Sequence, residues 1–388
     1  MTNKPLPWSS LALIVLFLTA AAADGRPLDH AKLRKIDAAI NQAIDEKRLP
    51  GAVIWVEHGS DHYTKAFGHR ALVPSKENMK RDTIFDVASL TKVLATTPAV
   101  MILWERGQIN FDATVQTFIP EFTGGGKEQI ILRQLLTHTS GLPEDISTSP
   151  KWQGAETAIA MACAVKLKAP PGTEFRYSDI NFILLGEIVT RVSRTNLNEF
   201  CAREIYQPLK MADTGFLPGK KKIPRIAPTE LTDGVMLRGV VHDPTSRMMG
   251  GVAGDAGLFT TAPDMARYAR MMLNLGELDG VRIFKPETVK MMTSVQTPRG
   301  MKDQRGLGWD IDSRFSRPRG DHFPAGSYGH TGFTGDAFWL DPLSKTFFIF
   351  LSNRVHPDGK GNVLALYHTV GTLAAEAVTD FDFTSVKH

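Results

Sequence analysis

Ser89 and Lys92 stand three residues apart in Ser89-Leu90-Thr91-Lys92. On a helix that spacing puts a hydroxyl and an amine on one face, within reach of each other. A serine hydroxyl is a poor nucleophile until a neighbouring base takes its proton, and a helix N-terminus adds backbone N–H groups that favour the developing negative charge. The pair therefore points to nucleophilic catalysis through an acyl-serine. Alone it is weak evidence: roughly one such pair arises by accident in a chain of this length, and a solvated helix surface would read the same way. The flanks argue otherwise. Phe85-Asp86-Val87-Ala88 and Val93-Leu94-Ala95 make an apolar setting, so the turn is expected to be buried, and a buried amine beside a hydroxyl needs a chemical reason.

Two further clusters follow in order, Tyr177-Ser178-Asp179 and His330-Thr331-Gly332. Together the three resemble the motifs Ser-x-x-Lys, Tyr-x-Asn and Lys/His-Thr-Gly of the class C β-lactamases, the D-Ala-D-Ala carboxypeptidases and the family VIII esterases. Leu136-Thr137-His138-Thr139-Ser140-Gly141-Leu142, Pro171-Gly172-Thr173, Gly250-Gly251-Val252-Ala253-Gly254 and Gly257-Leu258-Phe259 look like the same superfamily, so the likeness spans nearly the whole chain after its first segment. The resemblance implies that Ser89 is the nucleophile and that Tyr177 exchanges protons with it and with the leaving group. Lys92 would hold or accept the same proton. It further implies an oxyanion hole from the backbone N–H groups of Ser89 and Phe333, and substrate contacts from Asp179, His330, Thr331 and Gly332. No metal or organic cofactor is implied, and no metal-ligand spacing occurs.

Asp179 and His330 depart from the commonest forms of these motifs. An amide both donates and accepts, whereas a carboxylate only accepts and draws Lys92 into an ion pair. Bringing a lysine from about 10.4 to near 7 takes roughly 4 to 5 kcal/mol, and a carboxylate neighbour opposes that shift. Lys92 is therefore expected to stay protonated, leaving more of the base work to Tyr177. A mostly neutral His330 supplies less positive potential than a lysine would. Both changes favour ester hydrolysis over strong β-lactamase activity.

The elements that must position these groups are legible at both ends of the chain. Leu33, Ile36, Ile40 and Ile44 recur at helical spacing within Asp29 to Arg48, and Pro50-Gly51 stops that helix. Strands are expected over Ala52 to Glu57 and Tyr63 to Phe67, and again over Ala337 to Leu340 and Thr346 to Leu351, before a closing helix within Gly361 to Val378. A helix is expected from Ser89 to Arg106, and from there to Asn274 mostly helices and loops. The fold class is thus α/β (α+β), β-lactamase/transpeptidase-like. Its mainly antiparallel sheet is built from both termini and flanked by helices, with an inserted, mostly helical lobe and a cleft between lobes.

Composition bounds the rest. The 388 residues, 43% hydrophobic, suffice for a large core. Forty-five basic against 41 acidic residues, scattered along the chain, argue against nucleic acid as a partner. Residues 1–23 read as a signal peptide: Lys4, an apolar run from Leu11 to Leu18, then Thr19 and Ala20 to Ala23, with cleavage expected after Ala23. The run falls short of the roughly 20 residues a membrane span needs, so no stable anchor remains after cleavage. Residues 24–388 then form a single two-lobed catalytic domain, periplasmic or secreted. Cys163 and Cys201 are free to pair there without being required to. Asp243, Arg247 and Asp255 read as loop-stabilising polar residues, and Trp309 as either pocket wall or core.

The expected partner is a small-molecule ester, a β-lactam or a peptidoglycan-like peptide. The reading from a different class is a penicillin-binding receptor or sensor that acylates without efficient turnover. No Gly-x-Ser-x-Gly elbow occurs, which removes an α/β-hydrolase.

Overall fold

The computed structural model describes residues 27–386, and the expected signal peptide lies outside them. Eight strands form one antiparallel sheet: β1 (Gly51–His58), β2 (Asp61–Ala71), β3 (Glu77–Asn78), β4 (Gln304–Arg305), β5 (Asp310–Asp312), β6 (Tyr328–Gly332), β7 (Asp336–Asp341) and β8 (Thr346–Ser352). Their order across the sheet is β4-β5-β6-β7-β8-β1-β2-β3. β1 pairs with β8 from Ala52 opposite Ser352 to His58 opposite Thr346, so the two ends of the chain close the sheet at its centre.

The central strands read as nearly unbroken apolar runs because both faces are covered. Val53, Phe338, Leu340, Phe347, Ile349 and Leu351 pack into the core shared with the helices of the middle region. Their alternates Ala52, Ile54, Val56, Trp339, Phe348 and Phe350 pack under the two terminal helices, His30–Asp45 and Leu364–Glu376. Period-two alternation thus feeds two cores at once. The first helix begins where Asp29 accepts hydrogen bonds from the N–H groups of Ala31 and Lys32, and it buries Leu33, Ile36, Ile40 and Ala43. Trp309 belongs to the core, stacked edge-on against Tyr328.

The segment from Ser89 to Arg106 is not the uniform helix that its composition predicts. A 3₁₀ turn (Ala88–Leu90) leads to a π-helical turn (Lys92–Thr96) and only then to an α-helix (Thr97–Glu105). Neighbouring side chains account for the widened turn. The carbonyls of Val93 and Leu94 accept from the phenols of Tyr268 and Tyr206, and that of Ala95 accepts from Cys201 Sγ. These tertiary donors offer an alternative to regular helical bonding, and such turns recur at functional sites. Cys201 and Cys163 are both free thiols.

A glycine-rich crossing ties this segment to a helix later in the chain. Gly254 lies against the helix Asp179–Ser193, where a Cβ would overlap the Phe182 carbonyl oxygen, and its own carbonyl accepts from Thr96 Oγ1 at 2.6 Å. Only a residue without a side chain lets the two helices and the crossing approach this closely. Gly254→Ala is therefore expected to destabilise the protein by about 2–4 kcal/mol. Gly219→Ala, where an added methyl meets nothing, is expected to stay within about 0.5 kcal/mol. Urea unfolding of both variants checks this; equal stabilities would contradict the close-packed crossing.

Candidate active site

The turn that carries Ser89 is fastened before it begins. Phe85–Asp86 pairs with Phe259–Thr260, and the Val87 N–H donates to the Leu258 carbonyl. The buried Asp86 carboxylate accepts from the Ala88 N–H at 3.0 Å and the His242 N–H at 2.7 Å. Ala88 takes φ +45, a conformation that side chains disfavour, and the carboxylate holds it there. Ser89 follows with its side chain partly exposed.

Lys92 is fully buried, and its ammonium reaches three oxygens. Nζ donates to Ser89 Oγ at 3.1 Å and to the Asp255 carbonyl at 2.9 Å, and it pairs with Asp179 Oδ1 at 2.6 Å. Asp179 opens the helix Asp179–Ser193, while the glycine-rich crossing delivers Asp255. Burial works to lower the lysine's pKa, but the charge of Asp179, aided by Tyr177 and Asp255, outweighs it and holds Lys92 above its ordinary value. The amine is thus an ammonium at neutral pH. The carboxyl of Asp255, hydrogen-bonded by Ser246, is pushed well up by burial and by Asp243 and Asp179. Burial likewise pushes Asp145 up to about 6.

Tyr177 is oriented by a residue whose part is not evident from its motif. His138, at φ +56, stacks on the Tyr177 ring with centroids 4.4 Å apart. Its Nδ1 accepts from the Ser178 N–H at 3.2 Å and lies 3.1 Å from Asn181 Nδ2, whose partner oxygen accepts from Ser140 Oγ at 2.6 Å. The stretch Leu136 to Leu142 is therefore a scaffold for the phenol. Lys92 Nζ lies 5.2 Å from the Tyr177 ring centroid. Burial raises the phenol's pKa, and Lys92 opposes that rise.

The third motif is the end of β6. A Cβ at Gly332 would lie 2.5 Å from the Val87 carbonyl oxygen, so glycine is what lets the strand abut the turn that carries Ser89. His330 Nδ1 donates to the Thr331 carbonyl at 2.9 Å, and burial, with Arg305 and Lys92 nearby, keeps the imidazole neutral. Phe333 is 63% exposed at the rim. Its ring lies 4.3 Å from the Arg354 guanidinium, whose Nε donates to the Phe333 carbonyl at 2.8 Å. Among the described residues, the N–H groups of Ser89 and Phe333 donate to no protein acceptor.

Ser89, Tyr177, His330, Thr331 and Phe333 line one cavity of about 170 Å³, and Lys92 and Asp179 adjoin it through Ser89 and Tyr177. All the residues singled out from the three motifs thus meet in one place. Arg305, Asp310 and Phe315 also line the cavity and carry no motif signal. Of the loop residues, Arg247 bonds the carbonyls of Val241 and His242, and Asp243 caps the short helix Pro244–Met248. Asp255 instead supplies a carbonyl to Lys92. Chemically, the site offers a hydroxyl between an ammonium and a phenol, with two unengaged backbone donors beside it. Among the described residues no cluster of His, Cys, Asp or Glu could hold a metal ion, and no helix is long and apolar enough to cross a membrane.

The sequence model of the family described as Beta-lactamase matches residues 36–370. A protein of Salmonella schwarzengrund (strain CVM19633) bearing the name "Putative D-alanyl-D-alanine carboxypeptidase" is 31% identical over 386 aligned positions, covering 90% of this chain and 88% of that protein. Among solved structures, EstCE1, described as a hydrolase with promiscuous acyltransferase activity, superposes with a TM-score of 0.72 at 21% identity. That match covers 90% of this chain and 98% of EstCE1. Simvastatin synthase (LovD) from Aspergillus terreus gives 0.70 at 21% identity, with coverage of 89% and 98%. These likenesses carry the fold: an eight-stranded antiparallel sheet flanked by helices.

Removing the carboxylate beside Lys92 lowers the pKa of the ammonium and of the phenol it faces, whichever of the two limits proton transfer. The acidic limb of the kcat/KM profile for an ester is therefore expected to move to lower pH in Asp179→Asn, by about one unit or more. Limbs that stay in place would show that the pairing does not control the base.

Proposed function

Since the chain belongs to the β-lactamase family and is a serine hydrolase, we propose that it cleaves ester or amide bonds through an acyl-enzyme on Ser89. One observation carries the reading: a fully buried ammonium sits 3.1 Å from a partly exposed serine hydroxyl at the wall of a cavity. In the proposed sequence Ser89 Oγ attacks the substrate carbonyl carbon as its proton passes to the oxygen of ionised Tyr177. The phenolate is a minor species at neutral pH, and the Lys92 ammonium stabilises it. The carbonyl oxygen becomes an oxyanion between the N–H groups of Ser89 and Phe333, where each such donor contributes about 3 to 4 kcal/mol to the transition state. Collapse breaks the bond to the leaving group, which takes the proton from Tyr177. Water then attacks the acyl-serine, releasing the acid and restoring the hydroxyl. Thr331 and His330 face the substrate from β6.

Holding Lys92 as an ammonium makes the base scarce, and that favours reactive esters over amides and β-lactams. The name of the Salmonella relative, a D-alanyl-D-alanine carboxypeptidase, supports a peptide substrate in general terms. We also read residues 1–23 as a signal peptide and the protein as periplasmic or secreted, on the charge, apolar run and small residues of that segment. The remainder is read as one two-lobed domain with the cavity in its cleft.

A second reading, the receptor that stays acylated, draws on one feature. Two carboxylates beside the site, Asp179 and Asp310, are each paired with a cation rather than free to activate water. Intact-protein mass followed over time, with a p-nitrophenyl ester and separately with a penicillin, decides between the two. A transient acyl adduct with the ester is expected, together with released nitrophenol, and neither in Ser89→Ala. A persistent adduct would establish the receptor, and an adduct retained in Ser89→Ala would overturn the nucleophile. The unreacted mass of the exported protein is expected to begin at Asp24; a retained residue 1–23 segment would refute cleavage.

A further inference from the structure

The cavity floor holds a second ion pair. Arg305 of β4 and Asp310 of β5 both line it, with Nη1 3.4 Å from Oδ1 and both side chains almost entirely buried. Arg305 Nη2 also donates to the Gly308 carbonyl at 3.2 Å. The Asp310 oxygens accept from Ser313 Oγ at 2.7 Å and Ser316 Oγ at 3.0 Å, so the same carboxylate fixes the loop that carries Phe315. Phe315 packs against the Tyr177 ring with centroids 5.4 Å apart, giving the cavity an aromatic wall.

The cations lining and bordering the cavity face carboxylates, except that Arg305 Nε meets no acceptor and Arg354 meets only backbone carbonyls. Lys92 is paired with Asp179 at 2.6 Å and Arg305 with Asp310, while His330 is neutral. At the rim, Arg314 is held by Asp303 at 2.8 Å and Arg176 by Glu144 at 2.7 Å. Arg354 lies behind the Phe333 ring with donors turned to the Phe333 and Gly361 carbonyls. A substrate carboxylate entering this space would lose its hydration and meet the charges of Lys92 and Arg305 already offset by Asp179 and Asp310, with the Phe333 ring between it and Arg354. An uncharged ester or amide loses far less.

We propose that Asp310 is a specificity-determining residue. By neutralising Arg305 on the cavity floor, it makes the pocket select acyl donors that are uncharged around the scissile bond over donors bearing a free carboxylate there. The proposal rests on Ser89 being the nucleophile and narrows the substrate class of that site. A peptide ending in a free carboxylate falls in the disfavoured class.

Two matched ester pairs test it. p-Nitrophenyl hydrogen glutarate and its methyl ester place the carboxylate on the acyl side; 3-acetoxybenzoate and its methyl ester place it on the leaving group. Each kcat/KM is normalised to the alkaline hydrolysis rate, and the quantity read is the ratio of neutral to anionic member. In the wild type this ratio is expected to exceed about tenfold in at least one pair, and Asp310→Asn is expected to lower it by about tenfold. A ratio at or below one in both pairs, or one unmoved by Asp310→Asn, would overturn the proposal. If the single variant does not fold, the doubly neutral R305Q/D310N serves, with its ratio expected within about threefold of wild type. Selective loss of the anionic substrates in that variant would mark Arg305 as a carboxylate anchor and overturn the proposal. These outcomes stand apart from failure of the nucleophile, which would abolish hydrolysis of both members and leave no Ser89 adduct.

Discussion

An ammonium with no exposed surface is the constraint around which this site is built. Burying a lone lysine charge costs several kcal/mol, so Lys92 persists only because carboxylate, carbonyl and hydroxyl oxygens meet it from separate parts of the chain. Asp179 comes from a helix N-terminus, the Asp255 carbonyl from a glycine-rich crossing, and Ser89 from the turn one step earlier. The glycine at 254 lets that crossing lie against the helix, and Asp86 holds the left-handed Ala88 just before Ser89. Residues far from any substrate, such as Tyr206 and Tyr268, bond the turn that carries the ammonium.

The same constraint shapes the chemistry. A carboxylate against Lys92 keeps the free base rare, so in the proposed mechanism the lysine acts as a fixed positive charge rather than as a ready proton acceptor. In the proposed mechanism Tyr177, stacked on neutral His138 and facing the ammonium, is the group that moves the proton. The neutral His330 and the Arg305–Asp310 pair carry the pattern further, because the pocket gathers many charged groups and leaves little net positive charge. Family membership alone does not distinguish such a site from one that anchors a carboxylate; the partners of each cation do.

Much of this was legible in the residues, for identifiable reasons. Strands β1, β7 and β8 announce themselves as apolar runs because both their faces are covered, and the first helix keeps a clean period because one face meets a core. The motif residues from Ser89 to Gly332 were legible because their chemistry needs particular side chains at particular spacings. β4 and β5 were not, since strands of two and three residues are too short for any periodicity. Arg305 and Asp310 flank a glycine-rich stretch that reads as a loop, and their meeting depends on the turn between the strands. The role of His138 was hidden because it depends on a backbone at φ +56 and on Asn181, forty-three residues on. The π-helical turn was hidden too, because distant tyrosines, not local propensity, account for it.

The charge on Lys92 is what the whole reading turns on, and it can be observed without substrate. Nitrogen-15 and carbon-13 NMR of the Lys92 side chain, assigned with a Lys92→Arg control and followed from pH 6 to pH 10, reports whether the nitrogen carries three protons. An ammonium signal that persists across that range, and gives way at lower pH in Asp179→Asn, is the expected result. A neutral amine at pH 7 in the wild type would contradict the account, because Lys92 would then be the base and its pairing with Asp179 would not govern the site.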